Sequence, residues 1–193
     1  MRNLRCDQGD VIGTLAGSDA NLAFEPRRRE IGDGFQFPRL DPLTADHGEE
    51  FWDHGGFEHG HTLYDELVRV PLLIRAPARL KPEVVGAPVR HIDLAPTLCE
   101  LCDLPVPGQF VGRSLVPLAD GAPELERRPT LAHGNMWARP QTSWTSAGWK
   151  LIVREGAPAQ LYEVAVDPGE QRDLAASRPE ELTRLRAELE AVE

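Results

Sequence analysis

Residues 44–77 read TADHGEEFWDHGGFEHGHTLYDELVRVPLLIRAP, and this stretch decides which fold and which chemistry the sequence predicts. Its last part, Val70 to Ile74, is a short aliphatic run closed by a proline, which predicts a buried strand. Near its start, Asp46 and His47 precede a glycine, where we expect a strand to end and the backbone to turn. Two neighbouring side chains at such a turn can converge on one ion.

The same stretch is unusually rich in histidine and acid. Residues 46–61 hold four of the six histidines and five acids: His47, His54, His59, His61, Asp46, Glu49, Glu50, Asp53 and Glu58. A carboxylate with an imidazole suits Mn²⁺ or Zn²⁺, and less well Ca²⁺ or Mg²⁺, which prefer oxygen ligands. Two ligands do not complete a site. The alternative is that Asp46 and His47 only bond the turn backbone and that the later histidines decorate a glycine-rich loop.

Beyond the strand at Val70, helix and strand patterns alternate. A second strand is predicted over Ala87–Ile92, and Asp93 is placed to begin a helix that runs through Cys102, with Pro96 tolerated in its first turn. Cys99 and Cys102 are expected on the buried face of that helix. The alternation predicts an α/β fold.

The C-terminal part predicts a hairpin covered by a helix. Trp149–Val153 and Gln160–Val164 are strand-like and joined by a Gly/Pro segment, and the sequence DPGE from Asp167 predicts a type II turn. Ser177 and Glu180 are spaced as a capping box that opens a terminal helix. The expected core consists of Trp149, Leu151, Leu161 and Tyr162, with Leu182, Leu185 and Leu189 packed over them.

Composition excludes several classes of function. Lys and Arg number 21 against 31 Asp and Glu, a net charge of −10, which argues against nucleic-acid binding. No apolar run is long enough to span a membrane, and the N-terminal residues show no secretory signal, so we expect a soluble protein whose compartment stays open. Three cysteines exclude a disulfide scaffold.

Changes of composition along the chain predict three parts. Residues 1–40 keep no helical or strand period and are expected to be a divergent or loosely ordered leader. Residues 41–120 hold the turn and the α/β pattern. Residues 103–143 are rich in Pro and Gly, which marks a boundary, so residues 121–193 are expected to form a C-terminal subdomain.

Taken together, these segments closely resemble the sulfatase family of the alkaline phosphatase superfamily. The resemblance begins at the opening stretch and continues in the usual order through VRHIDLAPTLCELCDLPVP (89–107), GRSLVPL (112–118), WKLI (149–152) and LYEVAVDPGEQRDLA (161–175). It implies the C-terminal part of a sulfatase-like mixed sheet with flanking helices, followed by a small antiparallel hairpin and a helix.

The resemblance also implies roles for particular residues. Asp46 and His47 take the positions that supply two ligands to a divalent metal, Ca²⁺, Mg²⁺ or Mn²⁺, with Zn²⁺ also compatible with the donors. His59 or His61 takes the position that contacts the sulfate or assists the leaving oxygen, with His61 ranked first. The implied substrate is a small-molecule or glycan sulfate ester.

The sequence departs from the family pattern in its N-terminal part. Sulfatases carry there two more metal-ligating acids and a C/S-x-P-x-R motif that provides the nucleophile, whereas Cys6 is followed by DQGD. Pro38, Asp41 and Pro42 are also expected to break the strand before the turn. The chain thus resembles the C-terminal portion of a sulfatase, a fragment without the nucleophile.

Three functions remain open at this point. The first is hydrolysis of sulfuric esters, incomplete without a nucleophile. The second is a catalytically inactive, truncated remnant that binds a metal or a partner and self-associates through an exposed sheet edge. The third is hydrolysis of phosphate esters by a member of the same superfamily.

Overall fold

A computed structural model describes residues 11–14, for their backbone alone, and residues 40–122, 128–134 and 139–192. The leader predicted over residues 1–40 therefore lies almost wholly outside the described residues. The strands are β1 (Val11–Thr14), β2 (Asp41–Thr44), β3 (Glu50–Phe51), β4 (Phe57–Glu58), β5 (Leu72–Arg75), β6 (Thr130–His133), β7 (Gln141–Ser146), β8 (Trp149–Arg154) and β9 (Gln160–Tyr162). The helices are α1 (Asp65–Val68), α2 (Leu94–Leu101), α3 (Val116–Ala119) and α4 (Pro179–Glu190).

The described residues fall into two compact units, and the first lies within residues 1–44, 71–86 and 90–122. Its sheet has the order β1-β5-β2, with both pairs antiparallel. Strand β5 confirms the buried strand predicted near Val70–Ile74. The predicted strand break is wrong for Asp41 and Pro42, which lie within β2, and Pro38 lies outside the described residues. Strand β2 is at the edge of the described sheet, where a proline N–H is not needed, and Asp41 pairs with Arg75 at 3.0 Å.

Helix α2 confirms the predicted helix, and it begins directly after Asp93. The strand predicted over Ala87–Ile92 is wrong, because His91–Asp93 forms a 3₁₀ turn. The buried Asp93 carboxylate accepts hydrogen bonds from Arg90, through its backbone N–H at 3.3 Å and its guanidinium at 3.1 Å. It also accepts the Arg113 backbone N–H at 2.9 Å. These bonds fold the chain back where a strand would extend. Cys99 and Cys102 are half-buried free thiols.

The second unit lies within residues 45–70, 87–89 and 123–193. Its larger sheet has the antiparallel order β6-β7-β8-β9, which confirms the predicted hairpin. Helix α4 covers one face of this sheet, with a core of Trp144, Leu151, Ala159, Leu161, Leu185 and Leu189 and with Trp149 and Leu182 at its margin. Tyr162 is also buried, but it packs in a second cluster with Tyr64 and Ile152.

Two predicted local motifs of this unit are wrong. The residue with a left-handed backbone in the DPGE turn is Glu170, at φ +50°, and not Gly169, so the turn is not type II. Ser177 donates its hydroxyl to the Leu174 carbonyl and does not cap a helix. Helix α4 instead begins at Pro179, a residue whose fixed φ suits the first helical position. Among the described residues, no helix is long and apolar enough to cross a bilayer.

Candidate functional site

The turn after β2 places an imidazole lone pair beside a carboxylate. His47 Nδ1 lies 2.7 Å from the Gly48 carbonyl oxygen. Because a carbonyl only accepts, Nδ1 carries a proton, and in the neutral ring Nε2 then keeps its lone pair. Nε2 lies 3.9 Å from Asp46 Oδ1, which also accepts the His47 backbone N–H at 3.1 Å. The turn therefore fixes the tautomer of His47 and holds the two donor atoms on the same side.

Gly48 locks this turn against helix α1. Its N–H donates to the Leu67 carbonyl at 2.8 Å, and a Cβ at this position would lie 1.9 Å from the Glu66 carbonyl oxygen. Only glycine permits two backbone segments to approach this closely. The positions of Asp46 and His47 are consequently set by the helix that follows the histidine-rich loop.

Glu49 and His59, from the histidine-rich stretch, lie beside Asp46 and His47. The rings of His47 and His59 stack with centroids 4.1 Å apart at an interplanar angle of 25°. His59 Nδ1 lies 3.3 Å from Glu49 Oε1, so the carboxylate orients this second imidazole. The structure thus brings Asp46, His47, Glu49 and His59 into one exposed cluster, the histidine cluster.

His61 is positioned in a different way. Its backbone carbonyl accepts a hydrogen bond from Gln141 Nε2 at 2.9 Å, which ties the end of the loop to β7. Its half-buried imidazole makes no hydrogen bond with any described residue. Gln141 is itself 1% exposed, and its amide oxygen has no partner among the described groups.

The charge of Asp46 is favoured by its surroundings. A hydrogen bond from its own backbone N–H, followed by the His47 imidazole and the His47 N–H, lowers the pKa of Asp46 below its usual value. The side chain is 91% exposed. Asp46 is therefore an ionised carboxylate open to solvent, as a metal ligand must be.

The donor set fits part of a divalent metal site. The Asp46 oxygen and the His47 nitrogen lie 3.9 Å apart, so both can reach one cation at metal–ligand bonds of about 2.0–2.6 Å. Within residues 40–122, 128–134 and 139–192, however, no group of three His, Cys, Asp or Glu side chains is arranged to hold a metal. The described residues thus offer two of the donors that such a site would need.

A buried ionic network was not anticipated from the sequence. Lys150 Nζ lies 2.7 Å from Asp65 Oδ1 and 2.9 Å from Glu170 Oε1, with Lys150 1% exposed and Glu170 fully buried. Glu170 Oε2 accepts the Asp65 N–H at the start of α1. Burial raises the pKa of Glu170, although Lys150 opposes the shift. A lysine inside the apolar run WKLIV was the one sequence signal that an acid partner exists.

A second buried acid shapes the loop that carries the histidines. Glu50 is fully buried, and its Oε1 accepts the His54 N–H at 3.1 Å and the Gly56 N–H at 2.6 Å. These bonds close the connection between β3 and β4. Glu50 is one of the acids of the histidine-rich stretch, and its other carboxylate oxygen accepts the Thr62 hydroxyl at 3.5 Å.

Comparison with known proteins identifies the family. Residues 52–192 match the family model described as N-sulphoglucosamine sulphohydrolase, C-terminal. The chain belongs to the sulfatase family. This chain is 32% identical over 156 residues to arylsulfatase K of Gallus gallus, and the alignment covers 74% of this chain and 29% of that relative. The chain spans less than a third of the full length of these curated relatives.

Solved structures share the same fold. A protein solved in complex with its substrate D-glucosamine-2-N,6-O-disulfate aligns with a TM-score of 0.71 and 24% identity, over 79% of this chain and 33% of that one. A phosphonate monoester hydrolase from Silicibacter pomeroyi aligns with a TM-score of 0.67 and 29% identity, over 78% and 33%. The predicted class, the C-terminal part of a sulfatase-like α/β fold with a hairpin and helix, is confirmed.

Proposed function

We propose that this chain takes part in the metal-dependent hydrolysis of sulfuric esters, with Asp46 and His47 as two ligands of the divalent cation. The observation that carries the proposal is the pairing of an ionised Asp46 oxygen with the Nε2 lone pair of His47, 3.9 Å apart, in a chain of the sulfatase family. Sulfatases generally use a divalent metal. The Gly48 carbonyl would fix the ligating imidazole as outer-shell partners do in metal sites.

The two donors differ in what they contribute. Asp46 supplies a negative charge that offsets the cation, and His47 supplies a neutral nitrogen. A bound cation would polarise the sulfate oxygens and offset the charge that develops as the S–O bond breaks. The mixed oxygen and nitrogen set accepts Mn²⁺ and Zn²⁺ as well as Ca²⁺ and Mg²⁺.

His61 and His59 are the residues we propose for substrate contact. The His61 imidazole has no hydrogen-bond partner among the described residues, so it is available to a sulfate oxygen or to the leaving oxygen. His59 keeps Nε2 for the same use because Glu49 engages Nδ1. Either imidazole can bind an anion when protonated and can give up that proton as a general acid.

The proposal assigns no nucleophile to this chain. The sequence given contains no C/S-x-P-x-R motif. Attack on sulfur is therefore proposed to need a group outside residues 40–192. The alternative is an inactive remnant that only binds metal or a partner. It differs from the proposal only in that no outside group supplies the attack on sulfur.

A hydrolysis assay separates the candidate functions. The chain is incubated with an aryl sulfate, an aryl phosphate and an aryl phosphonate ester, each with Ca²⁺, Mn²⁺ or Zn²⁺. The likeness to the phosphonate monoester hydrolase makes phosphorus esters the second candidate. Preferred turnover of the sulfate supports the proposal, and preferred turnover of a phosphorus ester supports the second candidate. Metal binding without turnover by this chain alone is expected of both the proposal and the remnant. If turnover is still absent when an N-terminal sulfatase part that carries the C/S-x-P-x-R motif is added, the remnant is supported.

Replacing Asp46 by alanine is expected to weaken metal binding by about tenfold or more, because it removes the charged ligand of the pair. Isothermal titration calorimetry with Mn²⁺ measures the change. Asp53→Ala is the matched control, since Asp53 is an exposed acid of the same loop whose hydrogen bond among the described residues is from the Phe51 N–H at 3.0 Å. Equal affinities for the parent and Asp46→Ala would remove Asp46 from the site.

A further inference from the structure

His54 makes two hydrogen bonds that only a doubly protonated ring can make. Its Nδ1 lies 2.6 Å from Glu66 Oε1, and its Nε2 lies 3.1 Å from the Glu170 carbonyl oxygen. A carboxylate and a carbonyl both accept, so both ring nitrogens must donate. A neutral imidazole has a single N–H. The geometry therefore requires the imidazolium form of His54, which is 12% exposed.

The groups around His54 also favour its positive charge. The Tyr64 ring stacks on it with centroids 3.6 Å apart at 10°, as a cation–π pair does. Glu66 faces the ring from α1, and Glu50 of β3 accepts the backbone N–H. Two groups do not favour the charge: the Gln171 amide nitrogen, itself a donor, lies 3.5 Å from Nε2, and the Lys150 cation of β8 pairs with the Glu170 carboxylate.

The balance of these effects sets how readily the ring is charged. Burial alone would lower the pKa of His54. The hydrogen bonds to Glu66 and to the Glu170 carbonyl, with the charges of both acids, outweigh burial and raise the pKa above its ordinary value. The folded state thus favours the protonated ring more than the unfolded chain does.

We propose that His54 is a positioning residue, whose imidazolium clamps the loop of residues 52–61 to helix α1 and to the turn at Glu170 and releases the loop as pH rises. The inference rests on the proposed function, because this loop ends in His59 and His61, the residues proposed to meet the sulfate. His54 acts through them and does not itself touch the substrate.

The direction of the pH dependence follows from the geometry. The clamp is complete below the ordinary histidine pKa of about 6.5. It is lost as pH rises through the higher pKa of the folded state, because a neutral ring can keep only one of the two hydrogen bonds. Loss of a charge-assisted hydrogen bond shifts a local opening equilibrium by about tenfold or more.

Two measurements on the full chain test the clamp. NMR of the chain labelled with ¹⁵N-histidine should show both ring nitrogens of His54 protonated at pH 6. Hydrogen exchange should show protection factors of the amides of residues 55–61 falling about tenfold or more as His54 loses its proton. Protection factors correct for the intrinsic pH dependence of exchange, so only the opening of the loop is compared.

Variants provide the control. His54→Gln should show low protection of the loop that no longer changes with pH. His133→Gln, which removes an imidazole paired with Thr142 at 2.7 Å, should behave as the parent does. A neutral His54 ring at pH 6, or a loop whose protection does not respond to the loss of its proton, would overturn the clamp. If His54→Gln does not fold, the ring titration in the parent decides.

These readouts use neither metal nor sulfate ester, so failure of the clamp and failure of the proposed function are distinguishable. Mn²⁺ binding without a pH-dependent loop overturns the clamp alone. A pH-dependent loop in a chain that does not bind Mn²⁺ supports the clamp and overturns the proposed function alone.

Discussion

Lys150→Met is expected to lower the free energy of unfolding by about 3–5 kcal/mol, the largest loss we anticipate from a single substitution that removes no apolar contact. Lys150 is 1% exposed and is the cation between Asp65 and the fully buried Glu170. Methionine fills nearly the same volume, so packing is retained. The Glu170 carboxylate is left buried without its counter-charge, which is why removing one partner is so costly.

Urea unfolding followed by circular dichroism measures this effect. The matched control is Lys81→Met, because Lys81 is exposed and its replacement is expected to change stability by less than about 0.5 kcal/mol. Adding Glu170→Gln to Lys150→Met removes the stranded charge and should restore part of the loss. Similar midpoints for Lys150→Met and Lys81→Met would show that the buried network is not a source of stability.

Gly48→Ala is expected to have the second largest effect, a loss of about 3 kcal/mol in stability together with weakened metal binding. A Cβ on Gly48 would lie 1.9 Å from the Glu66 carbonyl oxygen, which is backbone and cannot turn away as a side chain can. Helix α1 or the turn must move. Because His47 donates Nδ1–H to the Gly48 carbonyl, the movement also disturbs the proposed ligand pair.

The control for this substitution is Gly86→Ala, where a Cβ would have no heavy atom within 4 Å. Alanine there should leave stability unchanged or slightly raised, because it restricts the unfolded chain. Urea unfolding and Mn²⁺ calorimetry are applied to both variants. If Gly48→Ala matched Gly86→Ala in both measurements, the close packing of the turn against α1 would be refuted.

Local pattern predicted the regular elements of this chain well. The aliphatic run of β5, the paired strands β8 and β9, and the leucine spacing of α4 each depend on neighbours in sequence, so periodicity was sufficient. Family resemblance predicted the fold class for the same reason, since it rests on ordered segments of sequence. The comparison with sulfatases confirms that class.

Partners distant in sequence account for the failures. Glu170 takes the left-handed conformation expected of Gly169 because its carboxylate is held by Lys150 and the Asp65 N–H. The strand predicted before α2 is replaced by a turn because Asp93 binds the Arg113 N–H, twenty residues away. Neither contact can be seen in a local window of sequence.

The candidate site was predictable only in part. The neighbouring Asp46 and His47 are visible in sequence because they are adjacent. The stacking of His59 on His47 depends on how the loop folds around the buried Glu50, and the clamp at His54 depends on Glu170, 116 residues away. Histidine density alone does not tell a ligand from a residue that fastens a loop.

Paramagnetic broadening by Mn²⁺ tests the central claim most directly. In NMR spectra of the ¹⁵N-histidine-labelled chain, substoichiometric Mn²⁺ should broaden the imidazole signals of His47 first and those of His59 next, before those of His133 on β6. The same titration of Asp46→Ala should require a higher Mn²⁺ concentration for equal broadening. Equal broadening of all histidines, or none at His47, would contradict a divalent metal site at this turn.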